Sequence, residues 1–249
     1  MEIKKLIPDP EIRNWTGPFD DKNYYFNLGK EQSEKIIQWL SIKPDQKILD
    51  IGCGCGRIAI HFLDYLSGQG QFIGIDSNKE LLSYCVDNIS KVNNNFQFKL
   101  IDAYNGVYSQ DGKLKCKDII FPIEDESVDI VIMWSVFTHM YLADIDSYLK
   151  EVHRVLKKGG FFIASLNLYN KFISNQIKMG KSYLDIKYRV NEDSYSLDKE
   201  VPENGFAHNE EIVKEFYWRN GFIIREIKYG VWYSKELVGE FHDCIIAQR

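Results

Sequence analysis

The chain has 249 residues, of which 45% are hydrophobic and 27% are charged. This ordinary globular composition excludes a disordered tail, a collagen-like fibre and a small disulfide-stapled scaffold. The 31 basic and 36 acidic residues give a net charge of −5, whereas proteins that grip long stretches of nucleic acid usually carry a basic excess.

The five cysteines are odd in number and scattered, which argues against a secreted disulfide framework. Cys53 and Cys55 have no second pair of ligands at zinc spacing, so no metal site is expected. No apolar run approaches the roughly 18–20 residues of a membrane-spanning helix. We therefore expect a cytoplasmic protein with no membrane insertion.

The predicted elements alternate along the chain. Residues 1–28 form an N-terminal arm that should be irregular, because Pro8, Pro10 and Gly17-Pro18 break helices. A helix is expected over 30–42. Strands then alternate with helices: strands at 47–51, 71–75, 96–101, 128–133 and 161–166, helices at 57–66, 78–92 and 142–156, then a helix at 209–220 and strands at 222–228 and 242–247. This rhythm predicts one doubly wound α/β domain over 1–249.

Two long stretches, 103–122 and 167–208, interrupt the alternation. Loops of this length are usually lids or binding loops, so both are predicted to be substrate-side insertions. The second has five basic residues and one acidic residue over 171–189, then five acidic residues and one basic residue over 192–203. Either the charges form a solvated, self-paired lid, or the basic half meets an anionic substrate.

A glycine-rich loop with the sequence DIGCGCG occupies positions 50–56. It follows a predicted strand and opens a predicted helix. Alternate glycines allow a tight turn and close approach to a ligand, and the helix start would direct free N–H groups at that ligand. A dinucleotide fingerprint would need its third glycine at position 57, where Arg57 stands.

The loop and the acids that end the next strands resemble those of class I S-adenosylmethionine-dependent methyltransferases. The resemblance runs from about residue 30 to the end. It implies a Rossmann-like α/β fold with a seven-stranded, mostly parallel sheet of order 3-2-1-4-5-7-6, and S-adenosyl-L-methionine as cofactor. In this family an acid such as Asp76 holds the ribose hydroxyls and one such as Asp102 accepts from the adenine amino group. The implied cofactor contacts are Asp50, Gly52, Cys53, Gly54, Gly56, Asp76, Ser77, Asp102, Ala103 and Ser135.

Candidate substrate residues lie outside the cofactor motifs. His139 follows the fourth strand, where substrates bind in such sheets, and an imidazole suits a general base near neutral pH; alternatively it only caps the next helix. His208 borders the second insertion and could reach a substrate. Trp15, Tyr24 and Tyr25 could close over the cofactor, or could simply pack the arm onto the core.

The acceptor is predicted by exclusion. After the fourth strand there is no Asp/Asn-Pro-Pro motif of adenine amino methylation, and no Pro-Cys dipeptide marks a cytosine nucleophile. Resemblance to bacterial enzymes of surface-polysaccharide pathways favours O-methylation of a small molecule, namely a sugar or a phosphorylated or nucleotide-activated precursor. Two alternatives stay open: a peptide or protein methyltransferase with an open acidic groove, and a cofactor-binding protein without catalysis.

Overall fold

A seven-stranded sheet forms the centre of the molecule in the computed structural model, which describes residues 3–249. These residues form eleven strands, and four short ones build a second sheet. In chain order the strands are β1 Lys47–Ile51, β2 Gln71–Asp76, β3 Phe96–Leu100, β4 Val128–Met133, β5 Leu156–Leu166, β6 Leu168–Tyr169, β7 Tyr188–Arg189, β8 Ser194–Ser196, β9 Phe206–Asn209, β10 Ile223–Lys228 and β11 Asp243–Gln248.

The large sheet has the order β10-β11-β5-β4-β1-β2-β3. Neighbours from β5 to β3 run parallel, while β11 is antiparallel to both β5 and β10. The expected Rossmann-like sheet is therefore confirmed, although the total number of strands is larger than predicted. Asp50 lies opposite Gly74 of β2 and Ile132 of β4, so the carboxyl ends of these three strands meet at one edge.

Both faces of this sheet are covered by apolar side chains. Along β4, Ile130 and Ile132 belong to one buried cluster, and Val131 and Met133 belong to the other. Successive strand residues point to opposite faces, so a continuous apolar run is what a doubly covered strand requires.

Seven α-helices connect or flank the strands of the described chain: α1 Pro10–Arg13, α2 Lys22–Leu40, α3 Ala59–Phe62, α4 Lys79–Cys85, α5 Leu142–Val155, α6 Lys171–Lys178 and α7 Glu210–Arg219. A π-helical turn, Val86–Ser90, extends α4, whereas α3 is much shorter than the predicted helix over 57–66. Within residues 3–249, no helix has the length and apolarity to cross a membrane.

The prediction of an irregular arm over 1–28 was wrong for most of the stretch. The helix α2 begins eight residues before the predicted start at residue 30, because the Asp21 carboxylate accepts from the N–H groups of Asn23 and Tyr24 and caps it. Ahead of it lie α1 and two short 3₁₀ turns. Residues 1 and 2 of the predicted arm lie outside the described residues.

The second insertion is not a loop, so that prediction was also wrong. It contains α6 and the four-stranded sheet β6-β9-β8-β7, in which His208 pairs with both Leu168 and Ser194. The side chains of α6 and this sheet enclose a small apolar cluster of their own, with Trp232 fully buried among them. Strands of two to four residues are too short to show a period in the sequence.

Trp232 also ties the insertion to the large sheet through Asp243. This buried carboxylate accepts from Leu168 N at 2.7 Å, Gly230 N at 2.8 Å and Trp232 Nε1 at 2.8 Å. We expect Trp232→Phe to lower the free energy of unfolding by about 2 kcal/mol, since a hydrogen bond to a charged acceptor is lost. Thermal unfolding should show a midpoint roughly 4–8 °C lower. Trp218→Phe, at a side chain that is 77% exposed, is the matched control and should change little.

Candidate functional site

A cavity lies at the edge where the carboxyl ends of β1, β2 and β4 meet. Ten of the residues singled out from the sequence line it together: Trp15, Asp50, Gly52, Cys53, Gly54, Asp76, Ser77, Ala103, Ser135 and His139. The structure thus brings most of the predicted site residues to one place.

The glycine loop shapes one wall of this cavity. Gly52, Gly54 and Gly56 all have positive φ, which glycine adopts without strain. A Cβ on Gly52 would meet the Val136 side chain at 2.4 Å, and one on Gly56 would meet Ile89 at 2.4 Å. Gly56 does not line the cavity. Its lack of a side chain lets the loop pack against α4 and the π-helical turn that extends this helix.

The backbone N–H groups of the loop are already engaged. Gly52 N and Cys53 N donate to the Ile75 carbonyl, and Gly54 N donates to Asp76 Oδ2 at 2.8 Å. Gly56 N donates to the Cys53 carbonyl. The expectation that this loop offers free N–H groups to a ligand is therefore wrong for these four donors.

Asp76 lies at the end of β2, where the resemblance placed the ribose-binding acid. Besides Gly54 N, it accepts from Asn78 N at 2.8 Å through its other oxygen. Burial raises the pKa of Asp76, and these backbone donors oppose that increase. The carboxylate is thus held in a fixed orientation at the cavity wall, which suits an acceptor for two hydroxyl groups.

Asp102 does not reach the cavity. Its side chain is exposed and accepts from Lys113 N at 3.2 Å, and its carbonyl accepts from Leu114 N. The acid after β3 therefore holds the first insertion in a turn, and its placement does not support the adenine contact implied by the resemblance. Ala103, next in the chain, is buried and does line the cavity.

Three predicted substrate residues also lie off the cavity lining. Tyr24 is exposed, and Tyr25 is fully buried with its hydroxyl 3.2 Å from Cys55 Sγ. His208 is fully buried, and both of its ring nitrogens are hydrogen-bonded. Nε2 donates to the Met140 carbonyl at 3.0 Å, and Nδ1 accepts from the Ser194 hydroxyl of β8. Burial lowers the pKa of His208 to about 4, so it remains a neutral structural link.

His139 is held by both insertions. Its Nδ1 lies 2.8 Å from the carbonyl oxygen of Glu203, and since a carbonyl only accepts, Nδ1 carries the proton. Nε2 then has the lone pair, and the Tyr108 hydroxyl lies 3.3 Å from it. Asn105 Nδ2 donates to the His139 carbonyl at 3.2 Å. Burial lowers the pKa of His139, which keeps the imidazole neutral and able to accept a proton at neutral pH.

Arg57 is the residue that the sequence reasoning missed. Its guanidinium lies 4.8 Å from the Phe19 ring centre and lines the cavity. Nε is buried with no hydrogen-bond partner, and within residues 3–249 no carboxylate lies within 4.0 Å to form an ion pair with it. A buried, uncompensated charge is costly, so this arrangement suits an anion that enters the cavity.

Asp50 lines the same cavity and carries the opposite charge, without an ion pair to Arg57. Burial raises the pKa of Asp50 to about 7, the nearby Asp76 carboxylate adds to this increase, and the Arg57 guanidinium opposes it. A separated carboxylate and guanidinium on one cavity wall complement the ammonium and carboxylate of an α-amino acid.

The remaining wall is rich in aromatic rings. The first insertion contributes Tyr104 and Tyr108, α5 contributes Tyr148, and Trp134 follows β4. Position in an insertion was the only sequence signal for Tyr104 and Tyr108. In contrast, no basic residue of 171–189 lines the cavity: Lys181 pairs with Glu236 at 3.2 Å, for example.

Comparison with known proteins agrees with this geometry. The family model described as "Methyltransferase domain" matches residues 42–200, which is more than half of the chain. The chain belongs to this family. It is a class I methyltransferase whose cofactor is S-adenosylmethionine.

Relatives of this methyltransferase act on different compounds. Demethylmenaquinone methyltransferase of Lactobacillus johnsonii is 29% identical over 64% of this chain and 62% of its own length. Carboxy-S-adenosyl-L-methionine synthase of Shewanella pealeana is 30% identical over 58% of this chain and 54% of its own. The chain therefore spans only about half to three fifths of these relatives.

A solved structure extends the likeness of fold over nearly the whole methyltransferase. The 1,6-didemethyltoxoflavin-N1-methyltransferase of Burkholderia thailandensis, solved with bound S-adenosylhomocysteine, has a TM-score of 0.57 at 13% identity. The match covers 96% of this chain and 85% of that one.

The residues of the cavity fit the cofactor. A guanidinium whose Nε is buried without a partner, a separate buried carboxylate and the oriented Asp76 match the carboxylate, ammonium and ribose hydroxyls of S-adenosylmethionine. We infer that Arg57, Asp50 and Asp76 hold these three groups.

The pKa of Asp50 makes ligand affinity depend on pH. Asp50 is protonated below about pH 7, and a bound ammonium requires the carboxylate, so protons and ligand compete. Affinity for S-adenosylhomocysteine should weaken roughly eightfold from about pH 7.5 to about pH 6, as measured by calorimetry. Asp50→Asn should bind more weakly and lose this pH dependence; the same slope in the variant would contradict the assignment.

Proposed function

We propose that this methyltransferase transfers the methyl group of S-adenosylmethionine to a hydroxyl oxygen of a small molecule, with His139 as the general base. The observation that carries the proposal is the fixed tautomer of His139, which makes Nε2 the ring nitrogen that can accept a proton; in the structure Nε2 accepts from the Tyr108 hydroxyl at 3.3 Å. Bound S-adenosylmethionine supplies an electrophilic methyl group on a sulfonium sulfur.

The proton of an acceptor hydroxyl would pass to Nε2 of His139. The Glu203 carbonyl can accept the hydrogen bond from Nδ1–H throughout and would stabilise the imidazolium that forms. The Tyr108 hydroxyl lies 3.3 Å from Nε2. An acceptor hydroxyl would either replace it there or reach Nε2 through it.

Both insertions would shape the acceptor site, because they converge on His139. Glu203 of the second insertion also accepts from the Tyr141 hydroxyl at 3.4 Å. A Cβ on Gly106 of the first insertion would meet the Glu203 carboxylate at 2.8 Å. This close contact supports the view that 103–122 and 167–208 together determine which acceptor binds.

An uncharged ring that carries a hydroxyl is the acceptor class that the cavity favours. Tyr104, Tyr108 and Tyr148 offer faces and edges for a sugar or an aromatic ring. The basic residues of the second insertion lie outside the lining, so the contacts give no support to a phosphorylated precursor. The surface-polysaccharide role likewise depends on the resemblance alone.

C-methylation of a quinol-type ring is the second candidate. Its support is the likeness to demethylmenaquinone methyltransferase. Removal of a phenolic proton by His139 would activate a ring carbon as readily as it would activate the oxygen, so the cavity chemistry suits both reactions.

An acceptor screen tests the proposal. The protein is incubated with S-adenosylmethionine and, separately, with free sugars, nucleotide sugars, phenols, quinols and peptides, and methylated products are detected by mass spectrometry. NMR then locates the new methyl group on oxygen or carbon. Methylation of a peptide alone would favour a protein methyltransferase. Tight binding of S-adenosylhomocysteine without turnover on any acceptor would favour a binding protein.

A further inference from the structure

Lysines and apolar side chains share one exposed surface of the second insertion. The surface consists of the outward face of α6, residues 180–183 and the loop 235–241, and is called the lysine–apolar patch below. Its exposed apolar members range from 38% to 102% exposure: Phe172, Met179, Tyr183, Leu237, Val238 and Phe241. Its exposed lysines are Lys171, Lys178, Lys181 and Lys235.

Contacts between the segments make the patch continuous. The Phe172 ring lies 5.8 Å from that of Tyr233, and the Tyr183 ring lies 6.1 Å from that of Phe241. Lys235 N donates to the Lys181 carbonyl at 2.8 Å. Beneath the surface, Trp232 packs with the buried face of α6, so the patch rests on an ordered apolar support.

The patch is basic on a protein that is acidic overall. No acidic residue lies on the outward positions of α6, which are Lys171, Phe172, Asn175 and Lys178, and Met179 follows directly after the helix. In the loop 235–241, Glu236 pairs with Lys181 at 3.2 Å, and Glu240 is directed to Lys35 at 2.6 Å. The patch thus has four lysines and two acids, both of them paired, whereas the whole chain has a net charge of −5.

We propose that the lysine–apolar patch binds the surface of an anionic lipid bilayer. Lysine stems can lie along apolar groups while their ammonium groups stay at the level of the lipid phosphates. Exposed aromatic and aliphatic side chains between them can enter the boundary between headgroups and acyl chains. Lysine is depleted from protein–protein interfaces, so this mixture fits a lipid surface better than a protein partner.

Leu237 and Val238 would make the deepest contacts. They are adjacent in the loop 235–241, and Val238 is the most exposed large apolar residue of the described chain. Lys235 in the same loop donates through Nζ to the Gly180 carbonyl at 3.2 Å, which holds the loop against the end of α6. This lipid-binding role is separate from the proposed methyl transfer and does not depend on it.

Vesicle sedimentation tests the proposal. The full chain is mixed with vesicles of phosphatidylglycerol and phosphatidylcholine, or of phosphatidylcholine alone. We expect the partition coefficient to be at least about tenfold higher on the anionic vesicles and to fall as salt is added. Absence of binding to anionic vesicles, as a protein-binding surface would give, overturns the proposal, and so does equal binding to both kinds.

Variants locate the contact. Leu237→Asp combined with Val238→Asp, and separately Lys178→Glu combined with Lys181→Glu, should each lower binding to anionic vesicles at least about tenfold. The matched control is Ile120→Asp, at an apolar side chain 75% exposed outside the patch, which should bind like the wild type. Unchanged thermal unfolding and S-adenosylhomocysteine binding confirm folding. Equal loss in the control, or no loss in the patch variants, contradicts the assignment.

Discussion

Replacement of His139 by Gln is expected to lower kcat by about 10²–10⁴-fold, the usual contribution of a general base. Affinity for S-adenosylhomocysteine should change by no more than about threefold, because His139 meets the acceptor side of the cavity rather than the amino-acid side. Glutamine is similar in size and polarity to histidine but cannot take up a proton. The rate is measured with an acceptor found in the screen, and affinity by calorimetry.

The protonation state of His139 provides a check that needs no acceptor. Burial lowers its pKa, so NMR titration of the imidazole should give a midpoint below the ordinary value of about 6.5, with Nδ1 protonated above it. The acid limb of the rate profile should lie in the same range. His153→Gln, at a partly exposed ring outside the cavity, is the control variant. A kcat for His139→Gln equal to that of the control would exclude the base role.

The large sheet could be predicted from the sequence because its signals are local. The run Val128–Met133 is apolar except for Asp129, as expected for a strand that is covered on both faces. The order of the strands came from the resemblance. The second sheet could not be predicted in this way, since Ser194 and His208 pair across fourteen positions and each strand is too short for a period.

Site residues could be predicted from the sequence where the end of a strand determines the direction of the side chain. They could not be predicted where the loop after the strand determines it. Asp76 points into the cavity because it ends a central strand and accepts from Gly54 N. Asp102 lies two residues after the edge strand β3, and the turn that closes on Leu114 draws it outward. Arg57 escaped prediction because arginine is almost always exposed or paired, and only the folded cavity shows its Nε buried without a partner.

Arg57→Met is expected to weaken S-adenosylhomocysteine binding by about a hundredfold, which corresponds to about 2.7 kcal/mol. Removal of one partner from a buried, hydrogen-bonded charge pair costs 2–5 kcal/mol or more, since the carboxylate of the ligand would be left without a counter-ion. Arg57→Lys keeps the charge but not the planar fork of donors and should recover part of the affinity. Arg225→Met, at an exposed position, is the matched control.

A second ligand separates the role of Arg57 from a general effect on the cavity. 5′-Methylthioadenosine lacks the amino-acid carboxylate, so its affinity should be nearly equal for the wild type and for Arg57→Met. If the variant loses both ligands equally, Arg57 shapes the cavity instead of pairing with the carboxylate; if it loses neither, the assignment is wrong.

The stability of the ligand-free protein provides an independent test of whether Arg57 binds the ligand carboxylate. In the absence of ligand the Arg57 guanidinium is partly buried, with no counter-ion within ion-pair distance among residues 3–249, and burial lowers its pKa. Methionine fills a similar volume without that charge, so Arg57→Met should be as stable as the wild type or more stable. A structural arginine would behave in the opposite way, since its loss would destabilise the fold. Loss of ligand affinity together with unchanged or raised thermal stability is therefore the result that a ligand-binding charge, and not a structural one, must produce.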